Sequence, residues 1–317
     1  PHRAEVHLPR VTRTQLAHDA PHVAHRRRAE VRDHPVQRRR DFEALKKKDA
    51  AAYAGIVPTI YASVSHGIIL SPWIDGGHIE RYSAGVLDQI FAVLISMELG
   101  GVFEYDPTSG NLLLSSDGRV MMYDFGYAYR FDPRYDINPD GLEVPVFHAA
   151  ERFETRCFMQ HLMDVEEYIS RSAALSLYAL EKESALKAYI RKLRWLEENG
   201  GTEVTRSFVR GYIELWEKAL ASPAELERTL ALESFRSWVL DIHDDVGGKS
   251  CTPDTLRKAD KVIAIAKSDY GFLATHGGLF WGDEKLSNAE LVCRYESFRE
   301  DAKRFQIARA ESADEWH

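Results

Sequence analysis

The chain has 317 residues, 44% of them apolar and 28% charged, the composition of a globular protein long enough for one large or two ordinary cores. Its formal net charge of −8 argues against general nucleic-acid binding, and it has no run of about 18 apolar residues that would suggest a membrane span. Three widely separated cysteines (Cys157, Cys251 and Cys293) fit neither a disulfide framework nor a zinc site.

The opening PHRAEVHLPR lacks the apolar core of a secretory signal, so a reducing, cytoplasmic compartment is expected, with a secreted effector left open. Residues 1–40 differ from the rest. They carry ten Arg, no Lys, six His, four Pro, and no Gly, Phe, Tyr or Trp. Against Glu5, Asp19, Glu30 and Asp33 the ten Arg leave this stretch at +6 and the remainder at −14. Three readings stay open: a basic arm for an anionic partner, a disordered tail, or a segment outside the native reading frame.

From Asp41 the pattern becomes conventional. DFEALKKKDAAAYAG has good helix propensity, with Gly55 as a stop. VPTIYASV and HGIILSPWI read as two strands, and Ser71–Gly77 follows as a connection. Ala84–Leu99 carries apolar residues at helical spacing nearly all round, which predicts a buried helix ending at Gly100-Gly101. Next come two short strand-like runs, Leu112–Leu114 and Val120–Tyr123. Between them Ser115-Ser116-Asp117-Gly118 is a strong hairpin signal. Asp106 and Asn111 precede the hairpin and Asp124-Phe125-Gly126 closes it, so two carboxylates and an amide converge at one end. That donor set suits magnesium, which takes few protein oxygens and fills its other positions with water and phosphate. After a turn-rich stretch, the chain from Ala149 reads as successive helices to about Ala310. Asp241-Ile242-His243-Asp244-Asp245 contains the adjacent His and Asp of some metal-dependent phosphohydrolases. With only His148 and His161 nearby, it reads more simply as a polar helix end.

The order Asp106, four residues, Asn111, hairpin, Asp124-Phe125-Gly126 resembles the catalytic core of the protein-kinase-like superfamily. The resemblance implies an α+β two-lobed fold with a truncated β-rich small lobe and a large helical lobe. Its expected divisions are 1–40 as the anomalous segment, 41–77 as the remnant small lobe, and 78–317 as the large lobe with a C-terminal helical extension. It implies ATP and Mg2+ as cofactors. Asp106 would orient or accept the proton of an attacking hydroxyl, and Asn111 and Asp124 would hold the metal. Glu43 would be the helix carboxylate that pairs with a strand lysine, although a plain surface role fits it equally well. Ser71, Trp73 and Ile74 would lie along the adenine, in the hinge. The function implied is transfer of the γ-phosphoryl of ATP to a hydroxyl, with protein Ser/Thr first and a small-molecule alcohol second, by a compact enzyme like the atypical and bacterial members. A pseudokinase or interaction module is the rival. The sequence departs from the family pattern in three ways. Glu104-Tyr105 stands where His-Arg precedes the catalytic Asp, no Gly occurs before Gly55, and no strand-borne Lys is found upstream. The missing Arg implies no control by activation-loop phosphorylation. No nucleic-acid or membrane partner is expected.

Overall fold

A computed structural model describes residues 35–307 and the backbone of a two-residue strand, β1 (Val6–His7). The readings of residues 1–34 otherwise lie outside the described residues. Residues 35–40 call for a correction. The first described helix, α1 (Pro35–Lys48), starts six residues before the expected Asp41, with proline in its first turn and three lysines in its last. It buries Val36, Arg38, Arg39 and Phe42. Arginine can do this because its stem is apolar and its guanidinium can cap carbonyls. Arg38 Nε donates to Ala128 O at 2.8 Å, and Arg39 donates to Val57 O at 3.3 Å and to Tyr123 O.

After α1 the chain forms β2 (Tyr61–Ser63) and β3 (Ile68–Leu70), an antiparallel pair with β1 on the far side of β3. β3 stops at Leu70, four residues before the sequence expectation of Ile74, because Pro72 lacks the N–H a strand needs. β4 (Gly76–His78) joins a different sheet, pairing with β6 (Leu112–Ser115), which pairs in turn with β7 (Val120–Met122). The hairpin between β6 and β7 turns at Gly118, whose φ of 81° lies in the left-handed region that glycine tolerates.

Helix α2 (Ala84–Leu99) is capped by Ser83, whose side chain accepts from Val86 N, and it buries Leu87, Ile90, Phe91, Leu94, Ile95 and Met97. Full burial of each such side chain contributes roughly 1.5–3 kcal/mol. The helix delivers the chain to β5 (Val102–Glu104), which pairs antiparallel with β8 (Ala128–Arg130), Glu104 opposite Ala128. The segments before Asp106 and after Asp124 are therefore ladder partners.

The helices follow in the expected order. α3 (Ala149–Phe153), a π-helical turn at Glu154–Phe158 and α4 (Met159–Tyr168) form one interrupted rod. α5 (Arg171–Glu198) and α6 (Glu203–Ala221) come next, each started by a side-chain cap, Ser170 and Thr202. α7 (Pro223–Gly248), α8 (Pro253–Thr275) and α9 (Asn288–Arg304) are the last helices among the described residues, and Ser287 with Glu290 closes a capping box at α9. One compact unit ends at Leu226 and a second begins at Glu227, inside α7. The second unit buries its own apolar set, including Phe235, Val239, Ile242, Val262, Leu291 and Tyr295.

Candidate active site

The site is assembled at the open end of the β6–β7 hairpin, in the first unit. Asn111 N donates to Thr108 O, and Tyr123 N donates to Asn111 O at 3.3 Å. Those bonds put Asn111 beside the residue preceding Asp124. The Asn111 amide donates from Nδ2 to Asp106 O at 2.9 Å. This ties the start of the Asp106–Asn111 loop to its end and leaves the amide oxygen as an acceptor. The Asp124 side chain is exposed, and its Oδ1 accepts from Gly126 N at 2.9 Å. An exposed carboxylate and an amide oxygen at one hairpin end fit a magnesium ion that keeps most of its shell for water and phosphate. Among the described residues no group of three or more His, Cys, Asp or Glu could hold a metal ion. His148, which is buried, bonds to the Tyr189 hydroxyl at 2.6 Å, and the half-buried His161 and His243 pack on Tyr82 and Phe298.

Asp106 is held on three sides. Besides the Asn111 bond to its carbonyl, its backbone N donates to Glu104 Oε1 at 2.9 Å. Its Oδ1 accepts from Arg156 Nε at 2.7 Å. Glu104 is 5% exposed, and its Oε2 has no hydrogen-bond partner among the described residues. Burial, reinforced by the charges of Asp106 and Asp124, pushes its carboxyl up to about 8 against the opposing Asp106 N–H. It is therefore a neutral acid at pH 7. Tyr105, standing where the family pattern has Arg, donates its hydroxyl to Asp140 Oδ2 at 2.7 Å, a direct clamp from the loop before Asp106 to the segment after Asp124.

On the other side of Asp124, Arg39 is 8% exposed. It lies over the Phe125 ring at 4.9 Å and is attracted to both Asp124 and Glu43. Burial pushes its guanidinium down to about 10, so it stays charged at neutral pH. Phe42 meets Phe125 with ring centroids 4.4 Å apart. The Asp-Phe-Gly turn is thus packed against α1.

The structure brings Asp106, Asn111 and Asp124 together. Glu43 is on α1, but its described partners are Lys46 Nζ at 3.1 Å and Thr59 N at 2.9 Å, not a lysine from a strand. Ser71, Trp73 and Ile74 form an irregular connection into β4. Trp73 is 62% exposed, and the buried Ser71 hydroxyl lacks a partner among the described residues. Arg130 pairs with Asp41 on α1, and Arg134 with Asp132. Three residues absent from the sequence-based site join it: Glu104, Arg39 and Arg156. The first carried a signal, a carboxylate in the apolar run Val102-Phe103; the others come from distant helices.

A helix ending in a short strand, a loop bearing Asp106 and Asn111, and a hairpin ending in Asp124 together form a protein-kinase-like segment. Residues 39–138 match the family model of the ABC1 atypical kinase-like domain, which assigns this segment to the protein-kinase-like superfamily. A search of curated proteins returned no match. No helix among the described residues is long and apolar enough to cross a membrane.

Proposed function

We propose that the protein is an ATP-dependent phosphotransferase that moves the γ-phosphoryl group to a hydroxyl, with protein Ser/Thr as first acceptor class and a small-molecule alcohol as second. The observation that carries this reading is the convergence of Asp106, Asn111 and Asp124, with Asn111 bonded to Asp106 O. In the step itself the acceptor oxygen bonds to the γ-phosphorus, and the bond to the β,γ-bridging oxygen breaks with its electron pair leaving on ADP. The acceptor proton passes to Asp106. Arg156 occupies Oδ1, so Oδ2 is the oxygen that receives it. Magnesium, held by Asp124 and Asn111, would neutralise charge on the phosphates. The chain's own contribution is positioning and fixed charge, which is most of what phosphoryl transfer requires.

A second reading, a nucleotide-binding pseudokinase, draws support from one feature: among the described residues Glu43 bonds to Lys46 of its own helix and to Thr59 N, not to a lysine from a strand. Thermal melting with Mg·ATP tests for the nucleotide site, and turnover separates the two readings. Magnesium-dependent stabilisation is expected to reach about 2.7 kcal/mol when nucleotide is at a hundred times its Kd. Asp124→Ala should remove it. Asp106→Asn should keep it while lowering transfer by about 10²–10⁴-fold. Stabilisation that survives Asp124→Ala would refute the metal assignment. Mg·ATP binding with no turnover would favour the pseudokinase.

A further inference from the structure

Asp106 is held by an arm that no motif in the catalytic loop supplies. The rod from Ala149 to Tyr168 is broken at Glu154–Phe158 into a π-helical turn. Such turns carry an extra residue per turn, re-aim side chains, and occur often at functional sites. Here the turn directs Arg156 to Asp106 Oδ1 across 50 positions of sequence.

The turn is anchored on both sides of that arginine. Glu154, two residues before it, is paired with the fully buried Lys182 of α5. Cys157, the residue after it, shares a 2.8 Å hydrogen bond with the Tyr82 hydroxyl, and Thr155 Oγ1 donates to Glu151 Oε1 at 2.6 Å. An arginine on so braced a turn is held in place, and its Nε–H engages one oxygen of the carboxylate, Oδ1, in a charge-assisted bond. Within the catalytic loop itself, Pro107-Thr108-Ser109-Gly110 contains no cation.

We propose that Arg156 is a positioning residue for phosphoryl transfer. It holds the Asp106 carboxylate so that Oδ2 faces the acceptor hydroxyl, and it sets a fixed positive charge where the transferring group passes. The inference rests on the phosphotransferase reading above. A misplacement of about 1 Å at such a group costs on the order of 10²-fold in rate.

The test is steady-state Mg·ATP hydrolysis, with water as acceptor, by the full chain and by Arg156→Gln, with Mg·ATP affinity measured in parallel by calorimetry. The expected result is a loss of about 10²-fold or more in kcat with Mg·ATP affinity unchanged. Partial recovery is expected when guanidinium ion is added at millimolar concentration. Arg156→Lys, which keeps the charge but not the Nε–H aimed at Oδ1, should fall between. Guanidinium rescue is the readout that a purely structural arginine would not give. Wild-type kcat in Arg156→Gln would overturn the inference alone, as would equal loss of kcat and of nucleotide affinity with no rescue. An unaltered chain that binds Mg·ATP but does not turn it over would overturn the transfer reading and this inference together.

Discussion

Glu104 offers the sharpest physical test of the site, because its protonation in the folded chain differs from that in the unfolded chain. Its ordinary value is 4.5, and burial beside Asp106 and Asp124 pushes it up to about 8. A folded-state value above the unfolded one means that the folded chain binds more protons between the two. Stability from this group is therefore complete below pH 4.5 and is lost as pH rises toward 8. At about 1.36 kcal/mol per pH unit the full loss approaches 5 kcal/mol, and roughly 2.5 kcal/mol of it falls between pH 5 and pH 7. Glu104→Gln keeps a carbonyl oxygen for the Asp106 N–H but cannot ionise. It also buries an amide N–H₂ where Oε2 now lacks a partner, an offset of about 1–3 kcal/mol that does not vary with pH. The slope and not the level is thus the test. Urea unfolding at pH 5, 6, 7 and 8 would be sampled by a thiol-alkylating pulse at one fixed pH. Cys157, buried in the same unit as Glu104, reports the opening of that unit by mass spectrometry. The Glu104→Gln variant should gain on the unaltered chain by about 2.5 kcal/mol from pH 5 to pH 7. Parallel pH profiles for the two proteins would refute the buried, neutral carboxyl.

Two further outcomes follow from the packing around the site. Lys192 of α5 donates to Glu98 of α2 at 2.7 Å, both side chains buried. Lys192→Met should cost about 3–5 kcal/mol by stranding a buried carboxylate, and adding Glu98→Leu should recover most of that. Equal stabilities of the single and double variants by the same labelling assay would show that the pair is not coupled. A Cβ at Gly76 would lie 2.2 Å from Leu114 O, whereas one at Gly77 meets nothing within 4 Å. Gly76→Ala should therefore speed amide exchange at Ser116, whose N–H donates to Asp75 O, and Gly77→Ala should not; equal exchange in both would remove β4 as a constraint on the hairpin.

Much of this architecture is written in short-range chemistry. Asp117-Gly118 announces its hairpin because the turn needs a positive φ, and the apolar spacing of Ala84–Leu99 announces a helix buried nearly all round. Asp106, Asn111 and Asp124 are legible for the same reason, since one hairpin brings them together. What was not legible depends on distant neighbours. Arg38 and Arg39 look like part of a basic, low-complexity stretch until their carbonyl partners at Ala128, Val57 and Tyr123 are known. The π turn leaves no trace, because apolar spacing continues on both sides of it. β4 contains Gly76-Gly77 and has no strand propensity of its own; its pairing partner β6 makes it a strand. Glu104 reads as a polar interruption, and only its burial turns it into a neutral acid.

The two carboxylates of the site stand on separate supports. Asp124 follows β7 and is backed by α1, through Arg39 on Tyr123 O and Phe42 on Phe125. Asp106 follows β5 and is backed by Glu104 beneath it and Arg156 from the π turn. Asn111 joins them, bonded by its side chain to Asp106 O and by its carbonyl to Tyr123 N. The β5–β8 ladder makes a second join, since Glu104 faces Ala128 four residues after Asp124. In a phosphotransferase this division has a use: metal–nucleotide binding loads the Asp124 side and proton acceptance loads the Asp106 side. It also places a cation of the chain's own beside Asp124. Arg39 already places a buried positive charge between Glu43 and Asp124, from the same helix as Glu43. Changes on the α1 side should act on nucleotide affinity and changes on the π-turn side on turnover. Only Asn111, which belongs to both, should move the two together.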